Sequence, residues 1–390
     1  MKRAGNLMER IADLDNLALA FWRAARGKAG QEEVEAFRAD LATGLPALRR
    51  ALLCGVGVPP SGGSARRASA AGTAPRAEAS GRLPAEAGTM TAPWPNCDMT
   101  AAARPITFGP YRQFRVFDPK ERVISVAPFR DRVLHHALMN VCEPVFDRYA
   151  IHDTYACRKD KGCHRGVLRA QDFSRRFPWF VKLDIRRYYD SVDHDVLFRL
   201  LCRRFKDPAL LVLLRRLIDS YETTPDKGLP IGNLTSQHFA NCYLGEFDHW
   251  VKEQKRVEGY VRYMDDFVLW GRNAGELRAQ VREIRQFLHD DLRLDLKDEV
   301  LVNRCGCGLP FLGYRVFPGR VLLSRRSRAR FRRKFLAYDA CWRTGEWSEA
   351  YVARRMAALI AWTRFAEARG FRQKVLRLAE EKEARLRALS

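Results

Sequence analysis

The sequence lacks any long apolar run. Across 390 residues, no run approaches the roughly 18–20 consecutive apolar residues that a membrane-spanning helix needs. At the N-terminus, acidic residues interrupt the apolar stretch, which excludes a typical secretory signal. The ten cysteines show no regular spacing, and without an export signal we expect them to stay reduced. These absences favour a globular protein of the cytoplasm.

Acidic residues are scarce relative to basic ones. The chain has 69 Lys and Arg residues against 46 Asp and Glu, which gives a formal net charge of +23. From Ser324 to Ser390 there are 18 basic and 7 acidic residues, a local net charge of +11. Such a field attracts polyanions in a salt-dependent way, so nucleic acid is the predicted partner. A basic helical domain with a merely solvated charged face is the alternative.

Aromatic residues are absent from one long segment. Between Cys54 and Pro93 there is none, and Ala, Gly, Pro and Ser dominate. Such a composition buries too little apolar surface to offset the entropy of ordering, so we predict a disordered linker or insertion over 54–104. This segment separates a predicted N-terminal helical extension (1–53) from the densely patterned part of the chain (105–323) and the basic helical end (324–390).

The hydrophobic periodicity indicates mixed secondary structure. It predicts a helix over 6–25 and a second over 32–53, which Pro46 should kink or split. Two alternating runs around Pro119 predict a β-hairpin, and Asp193 is expected to cap a helix. "PFLGYRVF" is predicted to be one short strand, and "GLPIGNLTSQHFANCYLGEFDHWVKEQ" a loop followed by one long helix. Helices and strands do not alternate strictly, which favours an α+β core with a helical C-terminal region.

Two adjacent carboxylates, Asp265 and Asp266, lie between strand-like residues in "RYMDDFVLWG". Asp-Asp is often just a turn, but a bulky Met beside two acids is poor hairpin-turn chemistry. A second strand, in "VKLDI", ends at Asp184. Three converging carboxylates would repel one another unless cations compensate, and paired Mg²⁺ ions bound by carboxylates can clamp a phosphoryl displacement. In a basic protein this predicts nucleotidyl transfer.

The motifs between about Arg112 and Tyr314 resemble, in order and spacing, those of reverse transcriptases. "VKLDIRRYYDSVDH" resembles the palm motif with the first metal-binding aspartate, and "RYMDDFVLWG" resembles the motif with the YxDD box. "FLGY" resembles the primer-grip hairpin, "LDLKDE" the segment with a proton-donating lysine, and "RVISVAPFRDRVLHHAL" and "TYACRKDKGCHRG" the fingers motifs. The resemblance implies a right-hand polymerase fold, with fingers and palm at 105–323 and the thumb at 324–390.

The resemblance also implies roles for individual residues. Two Mg²⁺ ions, or Mn²⁺, would bind Asp184, Asp265 and Asp266 with the Ile185 carbonyl, and Lys297 would donate a proton to the leaving pyrophosphate. The residues expected at the incoming nucleotide are Arg122, Arg130, Tyr189 as a steric gate, Ile231, Gly232 and Gln237. The residues expected at the template or primer are Tyr155, Arg158, Lys161, Met264, Phe311, Leu312, Gly313 and Tyr314.

One motif departs from the common family pattern. Most members carry Gln-Gly-x-x-x-Ser-Pro, whereas this chain reads "IGNLTSQ", with Ile231 in place of the Gln and Gln237 in place of the Pro. Both changes resemble the enzymes of diversity-generating retroelements of bacteria and phages, which copy a template-repeat RNA into cDNA with errors opposite adenine. The implied partners are an RNA template, a cDNA or primer strand, dNTPs and a basic accessory-variability protein.

Three alternatives remain open at this point. The first is a group II-like or antiviral-defence reverse transcriptase with another template, and the second is a catalytically idle RNA-binding protein. The third is a zinc protein built on Cys157, Cys163 and His164 or on Cys305 and Cys307, although these spacings are not those of common zinc fingers. Residues expected only to pack in helical cores are His135, His136, Trp342, Trp347 and Trp362.

Overall fold

The computed structural model describes residues 2–28, 30–54, 106–117 and 121–387. Apart from Cys54, the predicted linker at 54–104 lies outside these residues, and so does Pro119 in the turn of the first hairpin. Within the described parts of the chain, no helix is long and apolar enough to cross a membrane.

The described residues form helices and three antiparallel sheets. The strands are β1 (Arg112–Phe117), β2 (Glu121–Val126), β3 (Trp179–Asp184), β4 (Gly259–Tyr263), β5 (Asp266–Gly271), β6 (Leu301–Arg304), β7 (Leu309–Phe311), β8 (Tyr314–Val316) and β9 (Val321–Leu323). The helices are α1 (Met8–Ile11), α2 (Leu14–Ala25), α3 (Glu32–Ala39), α4 (Leu41–Cys54), α5 (Phe129–Tyr149), α6 (Cys163–Arg176), α7 (Tyr188–Ser191), α8 (His194–Cys202), α9 (Pro208–Asp219), α10 (Leu234–Tyr243), α11 (Gly245–His249), α12 (Ala274–Leu292), α13 (Arg325–Arg343), α14 (Glu349–Arg364) and α15 (Arg369–Arg387). The predicted α+β class is confirmed.

The central sheet has the strand order β4-β5-β3-β6 and is covered on both faces. Side chains alternate across a strand, so neighbouring residues of β5 point to opposite faces. Phe267 and Leu269 join the larger core, which includes α2, α5 and α8–α12, whereas Val268 and Trp270 join a second core with α6 and the sheet β7-β8-β9. With both faces buried, the ends of the strands are where polar side chains can meet in a cleft.

The N-terminal helices pack on α5. Phe21 of α2 contacts the rings of Phe37 and Phe129 at centroid distances of 5.8 and 5.9 Å. The predicted single helix over 6–25 is wrong, because Asp13 is extended and caps α2 by accepting hydrogen bonds from two backbone N–H groups. The second predicted helix does break, but at Asp40, and Pro46 stays inside α4. Pro46 is the sixth residue of α4, past the first turn, so the helix lacks the hydrogen bond that an N–H there would have donated to the Ala42 carbonyl.

Two other predicted elements differ from the structure. "PFLGYRVF" is not one strand but the hairpin β7-β8, which turns at Leu312 and Gly313, both with positive φ. The predicted long helix after residue 233 is divided into α10, α11 and a π-helical turn over Trp250–Gln254. At the division, a Cβ on Gly245 would lie 2.4 Å from the Tyr149 ring, so only glycine allows this close approach of α11 to α5.

Candidate active site

The predicted carboxylates meet at one end of the central sheet. Asp184 ends β3, Asp266 begins β5, and the two residues are directly opposite each other in the antiparallel register. Tyr263 pairs with Asp266, so Met264 and Asp265 form a two-residue turn between β4 and β5. Met264 has a φ of 55°, a left-handed conformation that is uncommon for a residue other than Gly, Asn or Asp. The hairpin thus presents Asp265 beside Asp184 through a strained backbone.

Two lysines contact these carboxylates. The Lys182 Nζ lies 3.0 Å from Asp266 Oδ2, and the Lys297 Nζ lies 2.6 Å from Asp184 Oδ2. The backbone N–H of Lys297 also donates to the Asp184 carbonyl at 2.9 Å, which holds the segment after α12 against the end of β3. Sequence reasoning placed Lys297 here but missed Lys182. The signal was present, because in "VKLDI" Lys182 is two residues before Asp184 and therefore on the same face of β3.

The site carries more negative charge than its lysines compensate. Burial raises the pKa of Asp266 to about 6, against the effect of Lys182, and the charges of Asp184 and Asp265 add to the rise. Burial and the Asp184 charge raise the pKa of Asp265 as well. The Oδ1 atoms of Asp184 and Asp266 are buried and accept no hydrogen bond from any described residue. Two orphaned carboxylate oxygens in a repulsive cluster favour a bound cation.

This donor set suits a hard divalent cation. Carboxylate oxygens are the protein ligands that Mg²⁺ and Mn²⁺ prefer. However, among the described residues no set of three or more His, Cys, Asp or Glu side chains is arranged as one that could hold a metal ion. Lys182 and Lys297 each engage one oxygen, of Asp266 and Asp184 respectively. The Oδ1 atoms of both carboxylates stay available to a cation.

A cleft of about 1550 Å³ extends from the carboxylates to the C-terminal helices. The three carboxylates, the β7-β8 turn and Arg122 of β2 all line it. Its far wall is α13, whose cleft-lining basic residues are Arg325, Arg326, Arg328, Arg330, Arg332, Arg333 and Lys334. A basic groove that leads to an acidic end suits a polyanion whose reactive group is held by cations.

Comparison with known families agrees with this geometry. Residues 117–299 match the family model described as "Reverse transcriptase (RNA-dependent DNA polymerase)". Residues 117–299 therefore form a reverse transcriptase domain. The matched segment contains the three carboxylates and both lysines, and it supports the expected enzyme class, an RNA-directed DNA polymerase. Such a domain also implies dependence on a divalent metal.

The relatives of this reverse transcriptase include intron-encoded proteins, at low identity. It is 25% identical to Protein YkfC of Escherichia coli over 53% of this chain and 67% of that protein. It is 22% identical to the group II intron-encoded protein LtrA of Lactococcus lactis subsp. cremoris over 50% of this chain and 44% of that protein. A telomerase from Candida albicans, solved with a TWJ fragment of telomeric RNA, shows a TM-score of 0.42 at 14% identity, covering 70% of this chain and 55% of that one.

Not all residues predicted to contact the nucleotide lie at the cleft of the reverse transcriptase. Arg122 does, and its charge opposes the rise in the pKa of Asp265. Arg130 does not line the cleft and instead donates to the Thr107 carbonyl at 3.3 Å and pairs with Asp131. Tyr189 is half-buried, and Asp265 and Arg122 both influence its pKa, which burial raises. Tyr189 therefore lies near both Asp265 and Arg122.

The segment after α9 connects Tyr189 to the β1-β2 hairpin. The Leu229 N–H donates to the Tyr189 carbonyl at 2.8 Å, and the Ile231 carbonyl accepts from the Ser125 N–H at 2.8 Å. A Cβ on Gly232, which has a φ of 117°, would lie 2.8 Å from the Ile124 side chain. Only glycine allows this contact. Gln237, on α10, accepts a hydrogen bond from the Cys157 thiol at 3.1 Å.

Three residues predicted to bind the template instead hold their own loop together. Tyr155 is only 4% exposed, and its place at the template stays a prediction. Arg158 donates to Asp147 and to the carbonyls of Ile151 and Thr154. Lys161 donates to the His152 carbonyl at 2.9 Å and lies over the Tyr155 ring. The sequence predicted a nucleic-acid contact here because aromatic and basic residues suit nucleic acid. In the structure these side chains contact one another and the neighbouring backbone instead.

The "FLGY" hairpin contributes its turn to the cleft. Phe311 and Tyr314 are 1% and 0% exposed and belong to the second core, although both also line the cleft, and their contact with a primer stays a prediction. Leu312 is partly exposed, and Gly313 is exposed. A further correction concerns Trp342, which is 47% exposed rather than in a helical core. Trp362 instead packs beside Tyr314 and lines the cleft.

The raised carboxylate pKa values predict how stability depends on pH. The folded pKa of Asp266 is about 6, against about 3.9 in an unfolded chain. The folded state therefore binds this proton more tightly, and the free energy of unfolding of the metal-free protein should fall as pH rises from about 4 to about 6, by at most about 3 kcal/mol. Asp265 acts in the same direction. Urea denaturation at a series of pH values measures the change.

Asp266→Asn is the matched control for this prediction, because it removes the titrating group and keeps the shape. It should flatten the pH profile. Added Mg²⁺ should stabilise the unsubstituted protein more at pH 7.5 than at pH 5, since only the ionised carboxylates attract the cation. A profile that is the same with and without Asp266 would contradict the assignment of the raised pKa to this residue.

Proposed function

We propose that this reverse transcriptase copies a template-repeat RNA into adenine-mutagenised cDNA in a diversity-generating retroelement. The chemical step is two-metal nucleotidyl transfer, and the other proposed partners are a primer strand, dNTPs and a basic accessory-variability protein. The observation that carries the catalytic part is the cross-strand pair Asp184 and Asp266 with Asp265 in the adjoining turn, at the acidic end of a basic cleft. The retroelement part depends on Ile231 and Gln237.

The proposed roles follow from the positions of the side chains. Asp184, Asp265 and Asp266, with the Ile185 carbonyl, would hold two Mg²⁺ ions, for which Mn²⁺ can substitute. When bound, such ions would offset the negative charge of the phosphates and lower the pKa of the primer 3′-hydroxyl. Arg122 would contact the triphosphate, because it lines the same cleft and its guanidinium matches phosphate geometry. The α13 arginines would hold the backbone of the duplex.

Lys297 is proposed to deliver the proton that the departing pyrophosphate needs. Its ammonium already lies at the carboxylate cluster, 2.6 Å from Asp184 Oδ2. A cation held by Asp184 would compete with Lys297 for this carboxylate, and the ammonium could then reach the leaving group. A general acid of this kind typically contributes about 10²–10⁴-fold in rate. Tyr189 would exclude ribonucleotides, and Met264 and Leu312 would contact the primer.

The retroelement assignment rests on the segment that connects Tyr189 to the β1-β2 hairpin. Ile231 occupies the position where most family members carry glutamine, and its carbonyl is fixed by Ser125. An aliphatic side chain there cannot donate the hydrogen bond that a glutamine offers to the incoming nucleotide. A lost hydrogen bond of about 0.5–1.5 kcal/mol reduces selectivity by at most roughly tenfold. Ile231 can therefore contribute to errors without explaining why adenine is singled out.

We expect Ile231→Gln to lower misincorporation opposite template adenine, by at most roughly tenfold. The measurement is primer extension on an adenine-containing RNA, followed by sequencing of the cDNA. Ile231→Leu is the control, since it changes the shape of the side chain but adds no hydrogen-bonding group. If the error spectrum of the glutamine variant matches that of the leucine variant, Ile231 does not influence fidelity.

A second candidate function is supported by the relatives. The similarity to the intron-encoded LtrA is compatible with a group II-like reverse transcriptase that uses another template. The same sequencing experiment separates the two functions. Errors concentrated opposite adenine support the retroelement assignment, whereas uniformly accurate copying supports the intron-like enzyme.

A further inference from the structure

The most completely buried charged side chain near the carboxylates belongs to Arg262 of β4, three residues before Asp265. Arg262 is 0% exposed, and so is its partner Asp248 on α11. The Arg262 Nε donates to Asp248 Oδ1 at 2.7 Å, and one terminal nitrogen donates to Asp248 Oδ2 at 2.6 Å. The pair is thus bidentate and removed from water.

The remaining N–H groups of the guanidinium donate to two other residues. They donate to the side-chain and backbone oxygens of Asn241 at 3.1 and 3.3 Å, and to the Met264 carbonyl at 3.0 Å. All five N–H groups of Arg262 therefore have acceptors. The Met264 carbonyl belongs to the peptide unit that continues into the N–H of Asp265.

A purely stabilising role does not account for this arrangement. Buried ion pairs contribute little net stability, and well-packed apolar residues can often replace them. An apolar residue, however, offers nothing to the Met264 carbonyl. Because a peptide unit is planar, a hydrogen bond to this carbonyl fixes the orientation of the whole unit between Met264 and Asp265. Met264 is also the residue with a φ of 55°. A methionine does not favour this left-handed conformation, so contacts from outside the turn must hold it.

We propose that Arg262 is a positioning residue, which fixes the peptide plane from which Asp265 projects into the cleft. This inference rests on the proposed polymerase function, because it concerns the geometry of the same turn. Asp248 holds the guanidinium in place, and Tyr260 and Thr154 donate their hydroxyl hydrogens to Asp248 at 2.7 and 3.1 Å. These two hydroxyls touch the ion pair but not Met264, so they offer matched controls of equal burial.

The test compares Arg262→Lys with Tyr260→Phe and Thr154→Val. Lysine keeps the charge beside Asp248 but loses the planar set of donors, so the Met264 carbonyl should be released. We expect kcat to fall about 100-fold in Arg262→Lys, as for a misplacement of about 1 Å, with the KM for dNTP little changed. The two controls should lose similar thermal stability and keep kcat within about threefold of the starting protein. Equal losses of kcat at equal losses of stability would overturn the proposal.

Two further readouts do not depend on catalysis. Hydrogen exchange of the amides from Tyr263 to Asp266 should speed up in Arg262→Lys and not in the controls, and unchanged exchange would count against the proposal. Asparagine adopts the left-handed conformation more readily than methionine does. The kcat loss caused by Arg262→Lys should therefore be smaller in a Met264→Asn background, whereas strictly additive effects would oppose the proposal.

The exchange data also separate the two possible failures. If the unsubstituted protein incorporates no dNTP with either Mg²⁺ or Mn²⁺, the proposed function fails, and the exchange comparison alone then decides whether Arg262 orders the turn. If the protein is active and Arg262→Lys behaves like its controls in all readouts, the polymerase assignment stands and the positioning role is wrong.

Discussion

Replacing Asp265 by asparagine is expected to reduce RNA-directed dNTP incorporation by about 1000-fold or more. Asparagine keeps the shape of the side chain but removes the charge that would hold a divalent cation, and a loss of about 4 kcal/mol in transition-state stabilisation corresponds to this factor. Primer extension on an RNA template with Mg²⁺ gives the rate. The experiment also decides against an idle RNA-binding protein, because such a protein would incorporate nothing before or after the change.

The same variant should not be less stable. Burial and the Asp184 charge raise the pKa of Asp265, so the ionised carboxylate is held at a cost that the neutral amide avoids. We therefore expect Asp265→Asn to melt at the same temperature as the starting protein or above it. Asp290→Asn, an identical change on the exposed side of α12, should alter neither property. Incorporation that survives in Asp265→Asn would remove this residue from the proposed catalytic site.

The second large effect is expected from the basic wall of the cleft. Changing Arg325, Arg326 and Arg328 of α13 together to glutamine should weaken binding of a primer–template duplex by about 100-fold at moderate salt. It should also reduce the slope of log K against log salt by about three, since each lost phosphate contact removes about one released counterion. All three side chains are exposed and line the cleft. Fluorescence anisotropy at several salt concentrations measures both quantities.

A triple variant on α12 provides the matched control. Arg278, Arg282 and Arg285 are exposed on α12 and do not line the cleft, so their replacement by glutamine lowers the net charge by the same amount. If binding responds only to net charge, the two triple variants will weaken it equally. A loss confined to the α13 variant shows that this helix faces the nucleic acid.

Local sequence signals identified much of the fold. Asp193 caps α8 as predicted, by accepting a hydrogen bond from the Val196 N–H, because capping depends on residues close in sequence. The strand–turn–strand pattern around Asp265 was also correct. The helix breaks at Asp13 and Gly245 were not predicted. Asp13 lies within a continuous apolar pattern that is typical of one helix. Gly245 packs against Tyr149, which is far away in the chain. The boundaries between the fingers and palm, the thumb and the linker stay predictions.

The site was harder to predict than the fold. The convergence of Asp184 and Asp266 could be anticipated from their positions at strand ends, but their lysine partners could not be ranked among 69 basic residues. Arg262 resembles any polar residue of a half-exposed strand, and nothing local indicates that Asp248 lies opposite it. Tyr155 shows how ambiguous such a signal is, because an aromatic ring suits a nucleic-acid base as well as it suits the core in which this one packs. The sequence shows which chemical groups a side chain carries. Its burial and its hydrogen-bond partners determine whether it stabilises the core or contacts a ligand.

The order of the central sheet has a consequence for how the protein folds. Asp184 and Asp266 become neighbours only when β3 pairs with β5, and all of α7–α11 lies between these strands in the chain. Closing so long a loop is slow and entropically costly, so this pairing should form late in folding. The repulsion between the carboxylates therefore arises only after most of the apolar core has collapsed around them. The affinity for divalent cations during refolding should therefore appear only when β3 pairs with β5. Truncated chains that lack either strand should not bind the cation at this site.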